Sequence, residues 1–343
     1  MADSKNTSRL IEIDALRGLA ALAVVLFHYT TRFTELFGQN PPPTIAFSYG
    51  HYGVNLFFII SGFVIFMTLE KTSRPMDFVV SRFSRLFPAY WIAILLTFSV
   101  THLLGLPGKL VDGSTALANL TMIHGLFHIP HVDAVYWTLE VELLFYCGMF
   151  LLYRFGRLHL IHHALLGLLA LRLTYFALEK GFGIDLPWII SRLLILRYIP
   201  WFALGISIYL TTSRRGTGEW RQPALTAACA ILTLLIDDSL FAAALAAALA
   251  TAAFLAASGR ASLLRHRILA WLGSISYPLY LLHENIGWSL QLHLGKQGVA
   301  ADATVLIALV TSLTMAAALT FWLEQPAMRW IRNSYRKRQA MAR

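Results

Sequence analysis

Charge is what this sequence has least of. Of its 343 residues only 13% are Asp, Glu, Lys or Arg, whereas 57% are hydrophobic and the mean hydropathy is +0.61. Soluble domains carry roughly 25% charged and 45–50% apolar residues, so an ordinary soluble globular protein is excluded. Cysteine is nearly missing. The two present, Cys147 and Cys229, both fall inside apolar runs and have no CxxC spacing, so they are expected to pack as small hydrophobes rather than form a disulfide. No internal repeat of fixed period is visible. The apolar runs do not alternate every second residue, which argues against a membrane β-barrel. A short signal-peptide core with a small-residue cleavage site is also missing, so the first apolar run is expected to stay in place as an anchor.

What the sequence does have is long hydrophobic runs. Apolar stretches fall near residues 12–33, 54–70, 87–105, 136–153, 160–178, 188–211, 223–237, 240–258, 268–290 and 303–324. At roughly 20 residues per crossing helix these account for about ten spans. Only helices or closed barrels satisfy their backbone polar groups inside lipid, so the expected class is an all-α, polytopic integral membrane protein. Phe241 to Ser258 is Ala-rich, which suits close helix packing. With the N-terminus on the cytoplasmic side, twenty of the 28 Lys and Arg lie in inward segments, among them Lys5, Arg9, Arg214, Arg215 and the tail through Arg343. Four, Arg32, Lys109, Lys180 and Lys296, lie outward, and Arg17, Arg172, Arg192 and Arg197 lie within or at the ends of spans. This bias predicts an N-in, C-in topology with an even number of spans. It also assigns the net charge of +10 to topology and anionic lipid headgroups rather than to nucleic acid.

Ionisable groups inside a bilayer cost on the order of 2.5–3.5 kcal/mol each at a helix centre, so each needs a partner, water or a function. The first span carries Asp14, Arg17 and His28. Eleven residues separate Arg17 from His28, which returns the helix to within about 20° of the same face, and Asp14 is about 40° from His28. The three are therefore expected to look into one cavity, with His28 roughly 16 Å further along the helix than Arg17. An Asp14/Arg17 ion pair at a helix end, with His28 as a hydrogen-bonded core residue, is the plainer alternative.

Other spans add to this set. Arg82 and Arg85 are one helical turn apart at the inward end of the third span, a spacing that suits two guanidinium forks on phosphate oxygens. The fourth span carries Glu140 and Glu142, with Tyr146 one turn beyond Glu142. The two carboxylates are about 200° apart, so one is expected to face water or headgroups. Asn55 and Ser61 with Gly62 lie on the second span, Tyr280 and His283 on the ninth, and Glu324 at the inward end of the tenth. His124, His128 and His131 have a spacing that could ligate a metal from one helix face, but Pro130 interrupts it, and no metal is expected. Tyr52, Tyr136, Trp137 and Trp288 lie toward the outer surface, where they could stack on sugars or belong to an interfacial belt.

Six of these segments, in order, resemble the membrane-bound acyltransferase-3 family, the bacterial O-acyltransferases of surface polysaccharides. They are Asp14-x-Leu-Arg17-Gly18 with His28; Gly53-Val-Asn55-x-Phe-Phe-x-x-Ser61-Gly62-Phe; Arg82-x-x-Arg85-x-x-Pro88; Trp137-Thr-Leu-x-x-Glu142-x-x-Phe145-Tyr146; Ser276-Tyr-x-x-Tyr280-Leu-x-His283; and Glu324-x-Pro326. The resemblance implies one transmembrane domain over residues 1–343, with a short cytoplasmic N-terminus (1–11) and a basic cytoplasmic tail (327–343), in the bacterial inner membrane. It further implies acetyl-CoA as cytoplasmic donor, the Arg17/His28 pair as essential, and Arg82 with Arg85 in the donor site. Family members often have Asp at the position of Asn55. Some carry a fused SGNH hydrolase-like domain; this sequence runs 19 residues past Glu324, so acylation is expected at the membrane domain or through a separate protein.

The expected mechanism has Arg82, Arg85 and Arg17 holding the nucleotide end of acetyl-CoA, Ser61 in the donor site, and the pantetheine arm reaching along the first span to His28. His28 acts as general base on an acceptor hydroxyl of a glycan or lipid-linked saccharide, oriented by Glu142. A covalent acyl-enzyme on His28, Ser61 or a tyrosine is the alternative chemistry. A transporter or flippase for a glycan or lipid, and a membrane scaffold with structural ion pairs, are the rival classes. The oligomeric state is left open.

Overall fold

The computed structural model describes residues 2–39, 41–184, 186–213 and 220–341, with side chains from Ile11 onward. Arg214, Arg215 and Arg343, and the side chains of Lys5 and Arg9, which enter the charge bias, lie outside the described residues. Among the described residues the regular elements are helices and no strand occurs. In chain order the α-helices are α1 (Ala2–Phe27), α2 (Phe33–Phe37), α3 (Gly53–Glu70), α4 (Pro75–Leu104), α5 (Gly113–Asn119), α6 (Trp137–Arg154), α7 (Ile161–Phe182), α8 (Trp188–Leu193), α9 (Ile199–Ser213), α10 (Arg221–Asp237), α11 (Leu240–Ala257), α12 (Arg267–Leu282), α13 (Glu284–Lys296), α14 (Ala301–Leu319) and α15 (Gln325–Met341).

Six helical stretches among the described residues are long and apolar enough to cross a membrane: Gly50–Glu70, Pro75–Leu104, Ala134–Arg154, Leu158–Phe182, Leu240–Ala257 and Ala301–Met341. A shorter apolar helix is Ile199–Ser213. The protein is therefore an all-α polytopic membrane protein. Two expected runs are broken. The run 188–211 divides into α8 and α9 where Ile195 takes a left-handed backbone (φ 47°) and Pro200 follows in the first turn of α9. The run 268–290 divides at His283, whose ring Nδ1 bonds the Tyr280 carbonyl that a continuing helix would use. The basic tail is not loose chain. It is helix α15, joined to α14 through a π-helical turn, Thr320–Glu324.

The chain folds into two compact units. One is built from Met1–Arg17, Asn55–Pro75 and Val141–Ala270. Its centre is α9, buried along nearly its whole length and packed by α7, α10 and α11. Helices α3 and α9 cross closely: a Cβ on Gly205 would lie 1.9 Å from the Ile59 carbonyl oxygen, and one on Gly62 would lie 2.3 Å from that of Phe202. Only glycine allows backbones to approach so far. Charges inside this unit are matched: Arg265 donates to the fully buried Glu12 at 3.1 Å, Tyr209 to Glu70 at 2.8 Å, and Arg172 pairs with Asp237.

The second unit consists of Gly18–Val54, Met76–Glu140 and Trp271–Arg343. Here the later part of α1 meets α12 at Gly18, where a Cβ would lie 2.5 Å from the Gly273 nitrogen. Helix α1 passes directly into a π-helical turn, His28–Arg32, which packs against α13 and α14. Single π-turns within α-helices occur frequently at functional sites. The two found here begin at His28 and end at Glu324, both candidates from the sequence.

Candidate active site

In the second unit His28 sits at the start of its π-turn, with 14% of its side chain exposed. Its Nδ1 is 3.0 Å from the Val24 carbonyl oxygen and 3.0 Å from His283 Nε2. His283 is fully buried, and its Nδ1 lies 2.9 Å from the Tyr280 carbonyl oxygen. These contacts fix the protons. A carbonyl can only accept, so His283 carries its proton on Nδ1 and accepts at Nε2. His28 Nδ1 then faces two acceptors and must donate. The lone pair of the neutral His28 ring is consequently on Nε2, the atom required of a base.

The groups around this ring are tightly held. The indole Nε1 of Trp288 donates to the His28 carbonyl at 2.9 Å. The Tyr29 hydroxyl bonds the His283 carbonyl at 2.8 Å and Ser312 at 2.6 Å, and its ring lies so near Gly287 that a Cβ there would be 2.3 Å away. The carboxylate nearest the ring within this unit belongs to Glu284, whose Oε2 is 3.8 Å from His28 Nε2. Sequence reasoning passed over Glu284. Its signal was a carboxylate inside a predicted span, directly after His283. Tyr280, a candidate from the sequence, is held in place: its hydroxyl accepts from Thr138 at 3.0 Å and donates to the Val135 carbonyl at 3.3 Å.

The arginine end of the same unit is a charged cluster. Arg85 pairs with Glu324, which has no solvent exposure, and its guanidinium lies 5.6 Å from the centre of the Tyr277 ring. Arg82 bonds Ser81 at 3.1 Å and lies over Phe78. Arg332 of α15 donates to the Ser84 hydroxyl at 3.0 Å and the Ser81 carbonyl at 3.2 Å, within electrostatic reach of Arg82, Arg85 and Arg336. Asp77 accepts from Tyr335 at 2.9 Å. Four guanidinium groups thus gather against the carboxylates Glu324 and Asp77, a surplus of positive charge that fits polyphosphate. The part played by Arg332 and Arg336 was hidden in a tail that reads as topological charge.

In the first unit Glu142 accepts from Ser61 at 2.9 Å and from the Tyr146 hydroxyl. Asn55 is half-buried in the first turn of α3. Arg17 and Asp14 form an i,i+3 ion pair at 3.3 Å, and 48% of the Asp14 side chain is exposed. The ion pair that the plainer reading expects is therefore present.

Of the two carboxylates on α6, Glu140 is fully buried, its Oε2 occupying the space a side chain on Gly125 would need, whereas Glu142 is partly exposed. Two further expectations are corrected. The histidines at 124, 128 and 131 do not share a helix face, because His124 opens a 3-10 turn that His128 ends with φ 57°. His124 and His131 meet at 2.6 Å and His128 is exposed. Burial and the neighbouring His131 push the His124 pKa down to about 4. Among the described residues no group of three or more His, Cys, Asp or Glu is arranged to hold a metal. Tyr136 and Trp288 are buried at 1% exposure and bonded internally, so they offer no stacking face to an outer ligand.

Comparison with known proteins identifies a family for the chain. Residues 10–323 match the family described as Acyltransferase domain. "Acyltransferase MdmB" of Streptomyces mycarofaciens is 24% identical over 94% of this chain and 92% of its own length. "Protein 2 in picA locus" of Rhizobium radiobacter is 36% identical, the match taking in 36% of this chain and 65% of that protein. "Exopolysaccharide production protein ExoZ" of Rhizobium meliloti is 30% identical over 29% of this chain and 33% of its own length. No solved structure matches.

Proposed function

The chain belongs to the acyltransferase-3 family, and from that premise we propose that it moves an acetyl group from acetyl-CoA to a hydroxyl of a polysaccharide or lipid-linked glycan. The observation that carries this reading is the His28 proton arrangement: His283 and Val24 hold Nδ1–H, leaving the lone pair of the neutral ring on Nε2. Nε2 takes the proton of the acceptor hydroxyl as its oxygen attacks the thioester carbonyl, and returns it to the departing sulfur. A positioned base of this kind is worth typically about 10²–10⁴-fold.

The arginine cluster is the proposed donor site, on the cytoplasmic face of the inner membrane in keeping with the N-in, C-in charge bias. Because Arg85 is committed to Glu324, capture of the nucleotide phosphates falls mainly to Arg82, Arg332 and Arg336, with Arg85 and Glu324 shaping the floor. His283 takes over the orienting role expected of Glu142. The exopolysaccharide production relative supports a polysaccharide acceptor. A second reading, an acyl-enzyme on Ser61, draws on the 2.9 Å hydrogen bond from its hydroxyl to Glu142.

Purified protein incubated with radiolabelled acetyl-CoA and polysaccharide from the producing cells tests this directly. Label appearing in the glycan supports transfer, and glycan movement across a vesicle without label supports a carrier. Loss of transfer in Ser61→Ala together with protein-bound label in the wild type favours the acyl-enzyme; full transfer by Ser61→Ala removes it.

A further inference from the structure

Glu284 opens α13 at 3% exposure, and its side chain shares a hydrogen bond with Asp133, which is fully buried. A hydrogen bond between two carboxyl groups requires one proton between them, so the pair carries one negative charge. The backbone amide of Asn285 donates to Asp133 Oδ2 at 3.1 Å, and that of Val135 approaches Oδ1 at 3.3 Å. The Asn285 amide serves Asp133 alone, whereas that of Val135 reaches both carboxyls, so the balance puts the charge on Asp133 and the proton on Glu284. Glu284 Oε2 has no hydrogen-bond partner and lies 3.8 Å from His28 Nε2. Lys109, whose ammonium is 5.6 Å from the centre of the Trp288 ring, is within electrostatic reach of both carboxyls.

We propose that Glu284 and Asp133 form a proton-sharing pair that supplies the counter-charge for the His28 imidazolium formed during transfer, with Glu284 as a positioning residue for the base. The inference rests on the reading of His28 as that base. While His28 is neutral, the shared proton is on Glu284, and little charge faces the ring. When Nε2 takes the acceptor's proton, the shared proton moves onto Asp133, and the negative charge moves to Glu284 beside the new cation. When Nε2 gives its proton to the sulfur, the pair reverts. No proton enters or leaves the pair, so the transfer balances without a further acid. The arrangement avoids holding a permanently ionised carboxylate against the ring in a dry site, which is costly unless it is fully paired. The other titratable or charged groups facing the ring are His283, His51 and Arg32. None of them is acidic, so none can take over this role.

The test is kcat/KM against pH for the full chain in nanodiscs, with acetyl-CoA and polysaccharide extracted from the producing cells. An opposite charge within about 4–6 Å moves a titration by about one unit or more. Glu284→Gln is expected to move the acid limb to lower pH by about one unit and to lower the plateau, Glu284→Asp to return the limb, and Asp133→Asn, which leaves Glu284 as the sole carboxylate, not to move it down. A merely structural role lowers the rates of all three variants and leaves the limb in place, which overturns the proposal. If Glu284→Gln does not accumulate as folded protein, a downward limb in Asp133→Asn or an unreturned limb in Glu284→Asp overturns it equally. His28→Ala separates the two layers. Full transfer by that variant ends the reading of His28 as base, whereas an inactive His28→Ala beside an unmoved Glu284→Gln limb ends only the present inference.

Discussion

At the scale of the residue, the proposed transfer turns on where protons sit. His28→Ala is expected to lower transfer by about 10²–10⁴-fold while leaving expression and thermal unfolding unchanged, as read by label transfer on purified protein. Near-normal transfer would remove the assignment. The Arg85/Glu324 pair behaves differently. Arg85→Ala strips the counter-charge from a carboxylate with no exposure, and breaking a buried pair costs about 3–5 kcal/mol. Thermal unfolding in detergent should register that loss. Arg82→Ala and Arg332→Ala are expected to weaken acetyl-CoA binding by calorimetry with stability preserved, and an unchanged dissociation constant in both counts against the donor site. His28, His283 and Glu324 are legible in the sequence because an ionisable residue in an apolar run must be used for something. Their partners are not legible. His28 meets His283 across 255 positions and Arg85 meets Glu324 across 239, and nothing in local spacing encodes either meeting.

At the scale of the element, glycines decide which helices touch. Gly205→Val drives a side chain into the Ile59 carbonyl, and because backbone cannot move aside, a loss of about 1–3 kcal/mol or more is expected. Gly148, in the middle of α6, has nothing within 4 Å of its Cβ position, so Gly148→Ala is expected to be neutral or to favour the helix by up to about 1 kcal/mol. Parallel thermal melts of the two variants check the contrast. In the 3-10 turn before α6, His124 has a folded pKa of about 4 against 6.5 for the free group. The unfolded chain therefore binds more protons than the folded one as pH falls below 6.5. The stability associated with neutral His124 is present above that pH and is lost progressively toward pH 4. With the intrinsic pH dependence of amide exchange divided out, protection over residues 120–133 should fall between pH 6.5 and 4 in the wild type and change less in His124→Phe. Periodicity and composition marked the existence of the helices well. They missed the breaks at Ile195 and His283, because a left-handed residue and a ring that captures a helix carbonyl are decided by tertiary neighbours rather than by local preference.

At the scale of the whole molecule, scarcity of charge is the organising fact. A chain with so few ionisable groups places them in pairs and clusters: Glu12 with Arg265, Arg172 with Asp237, Arg85 with Glu324, and the carboxyls of Glu284 and Asp133 near Lys109. Composition was enough to exclude a soluble protein and to give the all-helical class. It was not enough to distinguish charges that brace from charges that react, since both need burial and a partner. What supports the proposed base is atomic: an imidazole whose one nitrogen is held by acceptors while the other keeps its lone pair. The most direct measurement uses sealed, oriented proteoliposomes, with labelled acetyl-CoA supplied on one face only and polysaccharide from the producing cells on the other. The account predicts label in the glycan when acetyl-CoA meets the face bearing Arg82 and Arg332, none when it is offered to the opposite face, and none in either case with His28→Ala. Transfer from the opposite face, or transfer that survives the loss of His28, would contradict it.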